Sequence, residues 1–419
     1  MKSLSLVLYT HQPVIFKDYR FFEIGKDHNY FNTFLNTEAI KQFEAKSFKP
    51  LNKLLLEFFQ RTDLGFKVSF SFSGTTLDLL EISSPTIIKE LKKMNDLGNV
   101  EFLSQTYSHS ILSQKYQYEF MQQTMAQKQK VFNLFGQIPR TFLNISAYPH
   151  SFLCRVLPEM GFKIWIQPKK MEDKILATLK PNIFEAESLK PVRILVADNL
   201  FAFKLSEPKK QAKNHGDYTT NMLDWVEKAC TENNLLCLLI DCMDLVKENP
   251  KSELFLRFMK KLPDLMKEKG IDFFTPSELQ LDGRFKTISF AKWNYDFPLP
   301  EKTPTPNQLQ AEILELMDSL MDNIYQTDSK EIIKTWFYLQ DEWNFRQLES
   351  GTPTEVGVNP DKAVKSYINF RNILEDFSQR VEQQMLSNKA KNKIRYQISD
   401  PQHPVQTNPP QQNNFMRLF

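Results

Sequence analysis

Glycine is scarce in this chain, 11 in 419 residues, and none of them builds the Gly-rich loop that cradles a phosphate. That argues against a nucleotide enzyme. Cysteine is scarce too. Cys154, Cys230, Cys237 and Cys242 stand in apolar surroundings without the spacing of a zinc or redox site, so a reducing cytoplasm is the expected compartment. No apolar run is long enough to span a bilayer, and the one after Lys2 is too short for a signal peptide, so no membrane is expected. An excess of one charge sign is missing as well: 53 Lys and Arg face 50 Asp and Glu, which leaves no electrostatic footprint for nucleic acid.

What is present is a series of apolar runs that each stop on polar residues. Leu4-Ser5-Leu6-Val7-Leu8 reads as a buried strand that ends at His11-Gln12-Pro13, because proline cannot donate to a ladder. Phe66–Phe72 ends at Ser73-Gly74, and Gly98–Leu103 runs into Gln105-Thr106-Tyr107-Ser108-His109-Ser110. Strands are also expected at Thr141–Ile145, Lys163–Ile166, Arg193–Ala197 (ending on Asp198), Leu235–Ile240 (ending on Asp241) and Ile271–Phe274 (ending near Glu278). Segments with helical periodicity separate them, among them Ala39–Gln60, Leu77–Asn95, Glu119–Phe135, Asn221–Thr231 and Ser252–Glu268. Strands joined by helices imply right-handed crossovers and a parallel sheet. With no glycine-rich first turn, a barrel fits better than an open dinucleotide-binding sheet. Its polar strand ends would then converge on one face: His11, Ser73, His109, Ser146, Asp198, Asp241 and Glu278.

The expected organisation is a barrel over 1–292, a linker over 293–306, a helical domain over 307–386 and a disordered, Pro/Gln/Asn-rich tail over 387–419. Thr305-Pro306-Asn307-Gln308 reads as a helix start with Thr305 at the N-cap. Leu309, Ile313, Leu316, Leu320 and Ile324 then form the apolar stripe. Residues 14–38 are aromatic, charged and aperiodic, as a segment that shapes or covers a site would be.

Several of these pieces resemble glycoside hydrolase family 57, most closely its α-amylase-like branch. They are Thr10-His11-Gln12-Pro13, Tyr19–Gly25, Gly98–Phe102, Thr106–Ser110, Leu239-Ile240-Asp241 and Trp336–Gln340. The resemblance covers residues 1 to 385 in order. It implies a (β/α)7-type barrel with a C-terminal helical domain, acting on α-1,4-glucans with retention and with neither metal nor cofactor. Retention needs two carboxyl groups roughly 5 Å apart. The family's nucleophile Glu falls in the block that here reads Phe142-Leu143-Asn144-Ile145-Ser146-Ala147-Tyr148. Aligning on Tyr148 places Ile145 at that position, and aligning on Asn144 places Ser146 there. Neither is an acid. The acid/base block keeps Asp241 but continues Cys242-Met243-Asp244, without the family's Glu and Gly, and the family's Asp-His pair is replaced by Trp343-Asn344.

The reading this favours is a homologue that binds α-glucan or maltooligosaccharide through His11, Gln12, Glu101, Tyr107, His109, Tyr148 and Trp343, with catalysis impaired and proteins of glycogen metabolism as partners. An alternative is a working hydrolase or glucanotransferase in which Asp241 is the acid/base and a relocated carboxylate, Asp198 before Asp244 or Glu278, faces it. A metal-dependent carbohydrate deacetylase would need paired histidines with an Asp, whereas His11, His28, His109 and His150 are scattered. A purely protein–protein role is the last reading. Residue by residue, His109 also fits a core histidine bonded to backbone, most of the 35 Phe fit barrel core, and Trp165 and Trp343 are kept as sugar-stacking candidates.

Overall fold

A computed structural model describes residues 2–145, 152–168, 183–186, 192–199, 215–247, 249–279, 286–288, 306–349 and 360–398. Two compact units emerge. One comprises Met1–Gln12 with Phe34–Thr303, the other Pro13–Thr33 with Pro304–Phe419.

The first unit holds ten strands: β1 Lys2–Thr10, β2 Val68–Phe72, β3 Val100–Leu103, β4 Thr141–Leu143, β5 Ile164–Pro168, β6 Ile183–Ala186, β7 Val192–Asn199, β8 Leu235–Asp241, β9 Ile271–Phe273 and β10 Lys286–Ile288. Seven of them form a parallel ring. β1 pairs with β2, β2 with β3, β4 with β5, β5 with β7, β7 with β8, and β8 returns to β1. The thinnest joint is between β3 and β4. There Ser104 N–H donates to Thr141 O at 3.0 Å and Leu143 N–H to Ser104 O at 2.8 Å. The result is a nearly closed (β/α)7 barrel, as expected. β9 adds parallel to the start of β1, while β6 (antiparallel to β7) and β10 lie outside the ring. Neither β6 nor β10 was expected.

The two-residue period of a strand sorts side chains to the two faces. Val7, Leu103, Leu143, Ile164, Ile166, Leu195, Ala197, Cys237 and Leu239 fill the interior, with Tyr9 and Ile145 packed against them. Phe142, Trp165, Ile194 and Val196 point outward, against Phe120, Leu153, Val156 and Leu157. β8 is an almost continuous apolar run because both of its faces are covered. Trp165 is completely buried in the outer layer, so this structure makes it core and not a sugar platform.

Helix starts follow local chemistry. Ser73 caps the helix Gly74–Ser83, its Oγ accepting from Thr76 N–H at 3.2 Å. Gly74 has no alternative there, since an added Cβ would collide with ring carbons of Tyr107. The helix Gln117–Phe135 closes on Gly136 at φ 72°, a left-handed cap suited to glycine.

In the second unit the helix Gln308–Ile324 starts at Asn307, in a reciprocal capping box with Gln310 (2.9 and 3.1 Å). The Thr305 proposed as its cap lies outside the described residues. Its buried stripe is Ile313, Met317, Leu320 and Ile324, whereas Leu316 is exposed. Helices Lys330–Leu339, Glu342–Arg346 and Pro360–Ile398 follow, the last running well past Met385. One row of that last helix stitches the segment Pro13–Thr33 in place. Asn369 accepts Tyr19 N–H at 2.6 Å and donates to Lys17 O, and Asn372 donates to Tyr19 O. Fully buried Asp376 accepts from Gly25 N–H (2.6 Å), His28 Nδ1 (2.8 Å) and the Tyr30 hydroxyl (2.6 Å).

Among the described residues no helix is long and apolar enough to cross a membrane, and all four cysteines are free and buried.

Candidate functional site

Where parallel barrel strands end, their inward positions open onto a common mouth. β1 delivers His11 there, two residues beyond inward-facing Tyr9. Its Nδ1 lies 3.0 Å from the Oγ of Ser73, which follows β2. Ser73 also shares hydrogen bonds with the hydroxyls of Thr75 (2.9 Å) and Thr76 (2.7 Å), and Thr76 Oγ1 accepts Gln12 N–H at 2.7 Å. The His11-Gln12 turn is thus held by the first turn of the helix after β2.

β3 supplies the facing side. The imidazoles of His11 and His109 stack with ring centroids 3.4 Å apart, and His109 Nε2 lies 3.2 Å from Gln105 Oε1. Gln105 in turn donates to Ser71 Oγ at 3.1 Å. At the ends of β4 and β5, Asn144 Nδ2 donates to Gln167 Oε1 at 2.8 Å, on the strand parity of outward-facing Phe142 and Trp165. β8 contributes Asp241, half-buried, whose Oδ1 accepts from Met243 N–H at 2.8 Å. Asp244 opens the short helix Asp244–Lys247 just after it.

Sequence candidates divide accordingly. His11, Gln12 and His109 come together. Tyr107 stands on the same loop but turns its hydroxyl away, to Asp78 at 2.5 Å, and Asp78 is ion-paired with Lys130 at 2.7 Å. Glu101 lies in the Val7 layer, since Val7 pairs with Ser69 and Ser69 with Glu101. That is four residues short of His11, roughly 13 Å down the barrel. There Glu101 accepts from Thr141 Oγ1 (2.7 Å) and Ser277 N–H (3.0 Å), which makes it a floor residue. Glu278 is likewise at the opposite end, bonded to Lys67 just before β2. Asp198 pairs with Leu238 on β8 and alternates with inward Leu195 and Ala197, so its position faces outward, three residues before Asp241. The pairing does not bring the two carboxylates opposite each other. Ile145 packs against the interior cluster. Ser146 and Tyr148 lie outside the described residues. Trp343 belongs to the second unit and is 41% exposed.

Residues not singled out from sequence also line the mouth: Tyr9 and Gln105. Tyr9 had a readable signal, because it sits two residues before His11 on one strand parity. The mouth offers imidazoles, amides, hydroxyls and carboxylate, a donor and acceptor mixture suited to a hydroxyl-rich neutral ligand. Among the described residues no three His, Cys, Asp or Glu side chains cluster as metal ligands.

A family model described as Glycosyl hydrolase family 57 matches residues 5–290. A Methanocaldococcus jannaschii protein named "Putative alpha-amylase" is 23% identical over 376 residues, covering 83% of this chain and 78% of that protein. In structure, the chain is similar to the 4-alpha-glucanotransferase of Thermococcus litoralis (TM-score 0.59, 14% identity). That match covers 82% of this chain but only 55% of that enzyme. It is also similar to the GH57-type branching enzyme of Pyrococcus horikoshii, with TM-score 0.57, 11% identity and coverage of 97% and 98%. At such identities the structural likeness establishes the fold alone.

Proposed function

The chain belongs to glycosyl hydrolase family 57, and from that membership we propose that it recognises α-1,4-glucans such as glycogen, starch or maltooligosaccharides while its hydrolytic step is lost or strongly reduced. The observation that carries this reading is the composition of the nucleophile block. No Asp or Glu occurs between Leu134 and Leu157, and Ile145 packs against interior apolar side chains. Retaining hydrolysis needs a carboxylate there to attack the anomeric carbon, with a second carboxyl about 5 Å away to protonate the leaving oxygen. Asp241 alone provides one half of that pair.

His11 and His109 supply hydrogen-bonding edges for sugar hydroxyls, with Gln12 held beside them, and Tyr148 and Trp343 remain part of the proposed binding set. The outward position of Asp198 weighs against the active-enzyme alternative. Free, buried cysteines support a cytoplasmic setting, where the protein would serve glycogen metabolism by binding.

The test is calorimetric titration with maltoheptaose, run beside reducing-end release from maltoheptaose and glycogen with Asp241→Asn as control. Binding is expected, with release no greater than the control's. Turnover that disappears in Asp241→Asn would establish an active enzyme, and absence of binding would remove the glucan reading.

A further inference from the structure

The helix Gln117–Phe135 buries a polar row where an amphipathic helix would bury an apolar one. Glu119, Gln123 and Gln127 recur at four-residue spacing, so they share one face, and all three are fully buried. Amides are costly to bury unless partners satisfy them. For both glutamines the partners lie at the strand ends that carry the stacked histidines. Gln127 Nε2 donates to Phe72 O at 2.8 Å, while its Oε1 accepts from Ser104 Oγ at 2.7 Å and from Gln105 N–H at 3.3 Å. Regular β2–β3 pairing stops at Ser71 with Leu103, so Gln127 adds a side-chain rung just beyond the last backbone one. Gln123 Oε1 accepts Ser108 N–H at 2.9 Å, one residue before His109, and its Nε2 reaches Glu119 Oε1 at 3.5 Å. Lys130, three residues further along, reaches the same loop through Asp78 and Tyr107.

The two ends that Gln127 joins lead directly to the histidine stack. Phe72 precedes Ser73, which bonds His11, and Gln105 itself bonds His109. We infer that Gln123 and Gln127 are positioning residues of the glucan site, fixing the Ser104–Ser108 backbone from behind so that His109 is held against His11. The ligand named here rests on the glucan reading above. Both glutamines are fully buried, so they act through the loop and not by touching ligand. A backbone N–H only donates and a carbonyl only accepts, which gives the Gln127 amide one workable orientation. Neither a carboxylate nor an apolar side chain of that length supplies both bonds.

Native-state hydrogen exchange of the full wild-type chain gives the first test. The Gln105 and Ser108 amides lie beyond the last rung of β3, yet each is expected to exchange at least about a hundredfold slower than an unstructured amide. Exchange of either at the unprotected rate would overturn the inference without any variant having to fold. The second test compares Gln123→Met and Gln127→Met with wild type by NMR of the histidine rings, the His109 signal being assigned by its loss in His109→Ala. In each variant that folds, the His109 signal is expected to move while that of His28, in the second unit, stays. Movement shared by His28 would mark general loosening and overturn the assignment, as would an unmoved His109. Calorimetry addresses the ligand separately, with maltoheptaose affinity expected to fall about tenfold in each variant. If wild-type protein binds and the variants bind equally well, the inference fails while the glucan reading stands. If wild-type protein does not bind, the glucan reading fails, and exchange and the His109 signal alone judge the two glutamines.

Discussion

The imidazoles of His11 and His109 lie nearly parallel, 20° between planes and 3.4 Å between centroids, though 98 residues separate them in sequence. Such contact is possible because each follows a different strand of the ring and is held by a polar side chain, Ser73 at the end of β2 for His11 and Gln105 at the end of β3 for His109. A stacked aromatic pair contributes about 1 kcal/mol beyond its burial, so the arrangement matters more for geometry than for stability. His109→Ala is expected to weaken maltoheptaose binding about tenfold in calorimetry while moving the unfolding temperature by only a few degrees. A large thermal loss with unchanged affinity would assign the stack to the fold instead.

Gly74 is tested by the smallest addition. A methyl group there meets the Tyr107 ring, which is itself pinned by its hydroxyl bond to Asp78 and by Thr75 N–H donating to Tyr107 O at 3.0 Å. Neither side can yield easily. Gly74→Ala is expected to destabilise by about 1–3 kcal/mol in urea unfolding. A neutral outcome would mean that the Tyr107 loop moves freely.

Asp376 makes the second unit sensitive to acid. Burial alone would raise its carboxyl, but the bonds from Tyr30, Gly25 and His28 outweigh that and hold it below the usual Asp range. A depressed folded value contributes stability above the unfolded value, near 3.9, that is lost as pH falls through the folded one. Denaturant unfolding of wild-type protein is therefore expected to weaken below about pH 4. Asp376→Asn should cost about 3 kcal/mol at pH 7 and flatten the acid limb. A limb of undiminished steepness would place the acid sensitivity elsewhere.

Glu101 has the opposite sign. Burial raises it in spite of the bonds from Ser277 and Thr141. Stability linked to it is full below the unfolded Glu value, near 4.3, and declines as pH rises toward the folded one. Relative to wild type, Glu101→Gln is expected to gain ground between about pH 4 and pH 7 in urea unfolding. Its maltoheptaose affinity should be unchanged, because Glu101 belongs to the barrel floor; a loss of affinity would return it to the binding set.

Much of the barrel was legible because its strands are apolar runs with abrupt polar ends, and the eight expected strands all occur. β6 and β10 were not, since they lie outside the ring and lack that pattern. Which strand ends share a site was harder to read. Asp198 and Asp241 look alike in sequence, each ending an apolar run. What separates them is a register that pairs Asp198 with Leu238 and therefore turns it outward. Glu101 is misleading for a similar reason, as depth along the barrel depends on pairing with Ser69 and not on local pattern. The assignment of Pro13–Thr33 to the helical unit depends on Asn369, Asn372 and Asp376, partners roughly 350 positions away that no local pattern connects.

That long-range stitching constrains the order of events during synthesis. The segment Pro13–Thr33 leaves the ribosome early, yet its donors Gly25, His28 and Tyr30 have no acceptor until Asp376 has emerged. The barrel between them must be translated in the interval, so the helical unit is the last part able to close. A nascent chain halted before the final helix would carry an aromatic loop deprived of its bonds to Asn369, Asn372 and Asp376, a natural handle for chaperones and proteases.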